Sequence, residues 1–152
     1  MNGAYLHLAM NHIPVVGFPL CFALLTAGAL RGSRDVIQAG FAGLILLAII
    51  TVPVWKTGGP AAHTLFTYPG VTLNRQAVHE HAEAGEFGVI SGGVLGVLAL
   101  IGWWLSRRPE GTPKVLLILT ILGALFVSVC MARIAHLGGL IRHPEIEAAP
   151  AQ

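Results

Sequence analysis

Four long apolar runs constrain this chain more than anything else in it: residues 13–30, 36–55, 87–105 and 115–132. Each approaches the about 20 residues that a helix needs to cross about 30 Å of hydrocarbon. The second run carries no charge, and the fourth stays apolar to residue 141, broken by Arg133 and His136. The segments between them are rich in Gly, Pro and charge, as connections are. The runs are too long, and too rich in Leu and Ala, for barrel strands, which alternate over about ten residues. The expected fold is all-α, an integral membrane four-helix bundle of up-down-up-down connectivity. It forms a single transmembrane domain over 1–152, with spans near 7–30, 36–56, 79–105 and 114–141.

Composition excludes the main rivals. Hydrophobic residues make up 55% of the chain and charged residues 11%, where a soluble domain carries about 25% charge. The mean hydropathy of +0.74 excludes disorder. Nine Lys and Arg against seven Asp and Glu, with no basic run longer than two, exclude a cationic nucleic-acid binder. Cys21 and Cys130 lie far apart inside apolar runs and read as small buried hydrophobes. Ala27-Gly28-Ala29 resembles a signal-peptide cleavage site, but the first run lacks the basic segment such a peptide needs and is kept as a span.

Charge near the span ends orients the bundle. Arg31, Arg34, Arg107, Arg108 and Lys114 fall on the side of the two short connections, which is expected to be cytoplasmic. The termini and the connection from Lys56 to about His79 then face the periplasm of a bacterial inner membrane. On this topology all seven histidines, His7, His12, His63, His79, His81, His136 and His143, fall on the outer side. Such one-sidedness points to one site built from several helix ends.

Helical phase refines the expectation. Steps of three and four residues place Gly96, Gly92, Gly88, Gly85 and His81 on one face. The same steps join Ala132, His136, Gly139 and His143, and also Leu8, His12, Val15, Val16 and Pro19. A small-residue face with a histidine at its end has two readings. One is a helix-packing groove with a polar end-group. The other is a smooth wall for a flat macrocycle with an imidazole as axial ligand.

The motifs discriminate among cofactors. His79-Glu80-His81 is not HExxH, no CxxCH is present for c-type haem, and no Met-rich or Cys-rich copper motif occurs. A b-type haem needs little beyond two facing histidines and a slot. Candidate haem-binding residues are His12, His81, His136 and His143, with Arg133 placed to pair with a propionate or to snorkel to the interface. A metal ion would draw on His12, His79, His81, His136 and His143. Glu80, Glu83 and Glu86 suit the first turns of a helix that begins outside the bilayer, with Asn74 as its N-cap. Pro14 and Pro19 are expected to bend the first span, and Trp55, Trp103 and Trp104 to sit at interfaces. The tail beyond His143 is expected to lie along the surface.

Asn11-His12-Ile13-Pro14-Val15, a histidine at the mouth of the third span, and Leu137-Gly138-Gly139-Leu140-Ile141-Arg142-His143 together carry a resemblance. The chain resembles a family of small bacterial four-helix membrane proteins that open with a His-Phe-Pro-Ile-like motif and close with a Gly-Gly…Arg-His-like motif. Relatives in that family occur near or joined to cytochrome c domains. The resemblance implies electron transfer with b-type haem and carries over His12, His81 and His143. Here Ile13 stands in place of the usual aromatic, and the closing motif runs His-Pro-Glu.

The leading expectation is a membrane b-type cytochrome-like subunit with one haem b or two near the periplasmic face. It would pass electrons between the quinone pool and a periplasmic or c-type cytochrome partner, as a subunit of a larger redox complex rather than a stand-alone enzyme. Two other classes stand beside it: a copper or zinc binding or transport protein, and a structural subunit whose histidines are interfacial. Membrane lipid is the expected surrounding in all three.

Overall fold

A long apolar run that leaves water must satisfy its own backbone, and the α-helix does so for all but the N–H and C=O groups of its end turns. The computed structural model describes residues 3–70 and 73–143, and their regular structure is all helical. The elements are α1 (Gly3–Met10), α2 (His12–Arg31), α3 (Arg34–Thr67), α4 (Arg75–Ser106) and α5 (Lys114–Leu140). Four stretches are long and apolar enough to cross a membrane, with α1 and α2 counting together as Ala4–Arg31. The tail 144–152, expected along the surface, lies outside the described residues.

Local chemistry sets the ends. Pro14 has no N–H for the Met10 carbonyl, which loses its helical donor where α1 gives way to α2. Asn11 between them keeps helical dihedrals and donates to the His7 carbonyl at 2.9 Å, so the two run on as one apolar stretch. Gly32, at φ 63°, turns the chain between α2 and α3 in a left-handed cap that L side chains disfavour. Asn74 caps α4 as expected, its Oδ1 accepting from the N–H groups of Gln76 (3.0 Å) and Ala77 (3.2 Å).

α3 runs further than its sequence implies. The connection expected from Lys56 is helical through Gly58, Gly59 and Pro60 to Thr67. Threonine hydroxyls support this extension by donating back to carbonyls one turn earlier, from Thr57 to Pro53 (3.0 Å) and from Thr64 to Pro60 (2.9 Å). Packing against α1 and the Arg75 guanidinium 4.9 Å over the Phe66 ring hold it further.

Each of α2 to α5 packs against two others in a ring. Along the three pairs consecutive in the chain, the contacts made at glycine fall in opposed residue order. Gly28 meets Ile37 and Gly17 meets Leu47; Phe41 meets Gly102 and Ala48 meets Gly96; Leu95 meets Gly123 and Gly88 meets Met131. Across the diagonals, α2 and α4 have no Cα atoms within 8 Å of each other, nor do α3 and α5, among the described residues. Glycine makes the seams close: a Cβ on Gly102 would stand 2.5 Å from Phe41 Cζ. The core holds Phe18, Leu25, Phe41, Leu44, Ala99 and Ala124, all fully buried. Cys21 is buried with them, as read from the sequence, and Cys130 is partly so. The buried hydroxyls of Thr51, Thr120 and Ser106 each donate to a carbonyl three or four residues back, so none is orphaned. The outer surface is a belt of exposed Leu, Ile, Val and Phe, including Leu46, Ile49, Val94, Val97, Leu122 and Phe126.

Candidate functional site

Two histidines turn inward at the end of the bundle away from the short connections. His7, on α1, and His81, near the start of α4, meet with ring centroids 6.4 Å apart and planes at 89°. Both are half-buried. His7 Nδ1 lies 3.0 Å from the Val54 carbonyl oxygen and 3.2 Å from Thr57 Oγ1. His81 Nδ1 lies 3.0 Å from the Ile134 carbonyl oxygen. A carbonyl only accepts, so each Nδ1 carries the proton and donates. In the neutral ring this leaves the Nε2 lone pair as the ligating position, and neither Nε2 is hydrogen-bonded within the described residues.

Four elements build this site. α1 and α4 supply the rings, and α3 and α5 supply the carbonyls that orient them. Glycine lies beside both rings, since a Cβ on Gly138 would stand 3.1 Å from His81 Cε1 and one on Gly58 would stand 3.4 Å from His7 Cε1. Gly85, one turn beyond His81, leaves room for Trp55, whose Cδ1 would be 3.8 Å from a Cβ there. One turn from His7, Asn11 Oδ1 is buried without a hydrogen-bond partner, so the interior is short of one donor at this level.

The glycine face of α4 is as the sequence predicts: Gly88, Gly92 and Gly96 are buried and His81 heads the row. The two other histidine faces point away. His12 is exposed, as are Leu8, Val16 and Pro19 on its stripe. The inward stripe of the first span is instead Ala4, His7, Asn11, Pro14, Phe18, Cys21 and Leu25, spaced by three and four residues. The same spacing describes the His12 stripe, so spacing by itself does not separate the two faces. His136 and His143 are exposed, as are Ala132 and Gly139, while Met131, Ile134 and Leu137 line the inner side of α5. Arg133 is exposed, one residue before the carbonyl that holds His81. His79 is exposed and pairs with Glu83 at 3.1 Å on the outer side of α4. Of the expected ligands, His81 alone reaches the interior site, and it meets His7 rather than His12, His136 or His143. No group of three or more His, Cys, Asp or Glu side chains comes together among the described residues.

Comparison with family models, curated proteins and solved structures yields no match to this chain.

Proposed function

We propose that this protein is an up-down-up-down four-helix subunit of a bacterial inner membrane that transfers electrons through a b-type haem held at its histidine end. The pairing of neighbouring helices with opposed residue order supports the topology. The apolar belt on its outer surface supports insertion. Trp104 and His81 are about 34 Å apart along α4 at about 1.5 Å per residue. That exceeds the about 30 Å of hydrocarbon, so the site falls at the outer interface, within reach of a periplasmic or c-type cytochrome partner and of quinone.

The observation that carries the reading is the His7–His81 pair. The two rings, on α1 and α4, stand with centroids 6.4 Å apart, near enough for one group to be held by both. Metal-bound histidines characteristically donate their other ring N–H to a carbonyl or carboxylate, and both rings do so here. Two is also the number of protein ligands that a bis-imidazole haem takes, whereas a structural zinc site takes four. His7 and His81 would hold the haem, which would supply one-electron chemistry there. The chain's own part is to hold the two rings, fix their tautomers through Val54 and Ile134, and keep the adjoining walls free of side chains at Gly58 and Gly138.

An absorbance spectrum of the detergent-purified chain from haem-replete cells, before and after dithionite, tests this. The expected result is a Soret band with sharp α and β bands on reduction, lost in His7→Ala and in His81→Ala. A colourless protein, or a spectrum indifferent to both substitutions, overturns the assignment.

A further inference from the structure

The opposite end of the bundle is cationic. Arg31, Arg34, Arg107, Arg108 and Lys114 cluster in and beside the two short connections, against Asp35 and Glu110. None of these five cations is ion-paired with a carboxylate among the described residues. Two are instead laid on aromatic faces: the Arg107 guanidinium is 3.6 Å from the Trp103 ring centroid and that of Arg108 is 4.0 Å from Trp104. Guanidinium–indole stacks at the end of an apolar helix present positive charge at headgroup level.

Between the two connections lies a half-open cavity of about 170 Å³, lined by Gly32, Arg34, Ile37, Ser106, Thr112 and Leu117. Ser106 Oγ donates to the Trp103 carbonyl and Thr112 Oγ1 to the Gly102 carbonyl, so neither hydroxyl proton is left for a ligand. Arg34 commits one N–H to the Pro109 carbonyl at 3.2 Å, out of the five its guanidinium offers. The lining therefore combines one cationic donor with the apolar walls of Ile37 and Leu117. Such a surface complements an amphiphile with an anionic head, and basic pockets between membrane helices take phosphate-bearing lipids.

We propose that this cavity binds the headgroup of an anionic phospholipid, with Arg34 on the phosphate, the glycerol region against Ile37 and Leu117, and Arg107 and Arg108 supplying the surrounding positive field. The inference rests on the membrane reading and is independent of the haem.

Native mass spectrometry of the full chain in detergent, with phosphatidylglycerol, phosphatidylcholine or inorganic phosphate added, tests it. Phosphatidylglycerol is expected to stay bound under activation that strips phosphatidylcholine, and excess inorganic phosphate is expected not to displace it. Arg34→Ala should lower phosphatidylglycerol retention by about fivefold, the worth of one basic residue near an anionic headgroup, whereas Arg31→Ala, outside the cavity, should change it less. Equal retention of the two lipids overturns the proposal, and so does displacement by inorganic phosphate, which would assign the site to the free ion. The wild-type comparisons decide the matter even if Arg34→Ala unfolds. Flotation with vesicles of either lipid tests insertion separately, since a chain that floats with both and prefers neither loses the lipid site and keeps the membrane.

Discussion

Gly138 lies so close to His81 that a Cβ there would stand 3.1 Å from Cε1 and 3.4 Å from Nδ1 of the ring. The ring is also held by the Ile134 carbonyl, one turn earlier on the same helix. Gly138→Ala should therefore push the imidazole off its anchor without opening the bundle. Under the proposed haem reading, haem retention is expected to fall by about ten- to a hundredfold, the usual cost of disturbing an outer partner of a ligand. Helix content by circular dichroism should be unchanged. Retention equal to wild type would show that the glycine does not position His81.

Pro14 leaves the Met10 carbonyl, one turn past His7, without its helical donor. Pro14→Ala restores that donor. Under the proposed haem reading, the expected outcome is a shifted His7–His81 approach and an altered visible spectrum, with thermal stability in detergent unchanged or raised. An unaltered spectrum would mean that Pro14 does not set the His7 position.

The glycine seams predict a graded stability series. At Gly102, a methyl would meet Phe41 ring atoms at 2.5 and 2.6 Å, and Phe41 is fully buried. Gly102→Ala is expected to destabilise by about 1–3 kcal/mol through overpacking. Gly93 has nothing within 4 Å of such a methyl, and Gly93→Ala should be neutral. Thermal unfolding in one detergent compares them directly, and equal Tm shifts would contradict the seam.

Fully buried Phe18 and exposed Phe126 offer a second contrast. Phe18→Ala should cost about 3–5 kcal/mol by leaving a cavity, and Phe126→Ala much less. Comparable losses from the two would place Phe126 at an interface.

His12→Ala, His136→Ala and His143→Ala are expected to leave the visible spectrum intact, because all three positions are exposed. Loss of the Soret band in any of them would transfer the axial role to the faces first marked by the sequence.

These contrasts also show what could be read in advance. The four long apolar helices were legible because hydropathy over a window of about 20 residues reports whether a segment is apolar enough to cross a bilayer. The glycine face of α4 was legible because small residues at every third or fourth position mark a seam. The inward faces of the first and last spans were not. A helix with apolar groups all round has no inside-to-outside contrast in hydropathy, so His12 and His136 sat on stripes as plausible as those of His7 and Ile134. The outer half of α3 was hidden for another reason. Gly58, Gly59 and Pro60 are local breakers, and only contacts with α1 and α4, distant in sequence, override them.

The two rings are anchored on helices that stand diagonally across the bundle, with no Cα atoms within 8 Å of each other among the described residues. His7 is tied to α3 through Val54 and His81 to α5 through Ile134, and those helices face each other across a diagonal. Any force that spreads or narrows that diagonal is carried straight into the gap between the imidazoles. Pressure on the outer ends of α3 and α5 would thereby change the spacing of the two imidazoles without touching either ring.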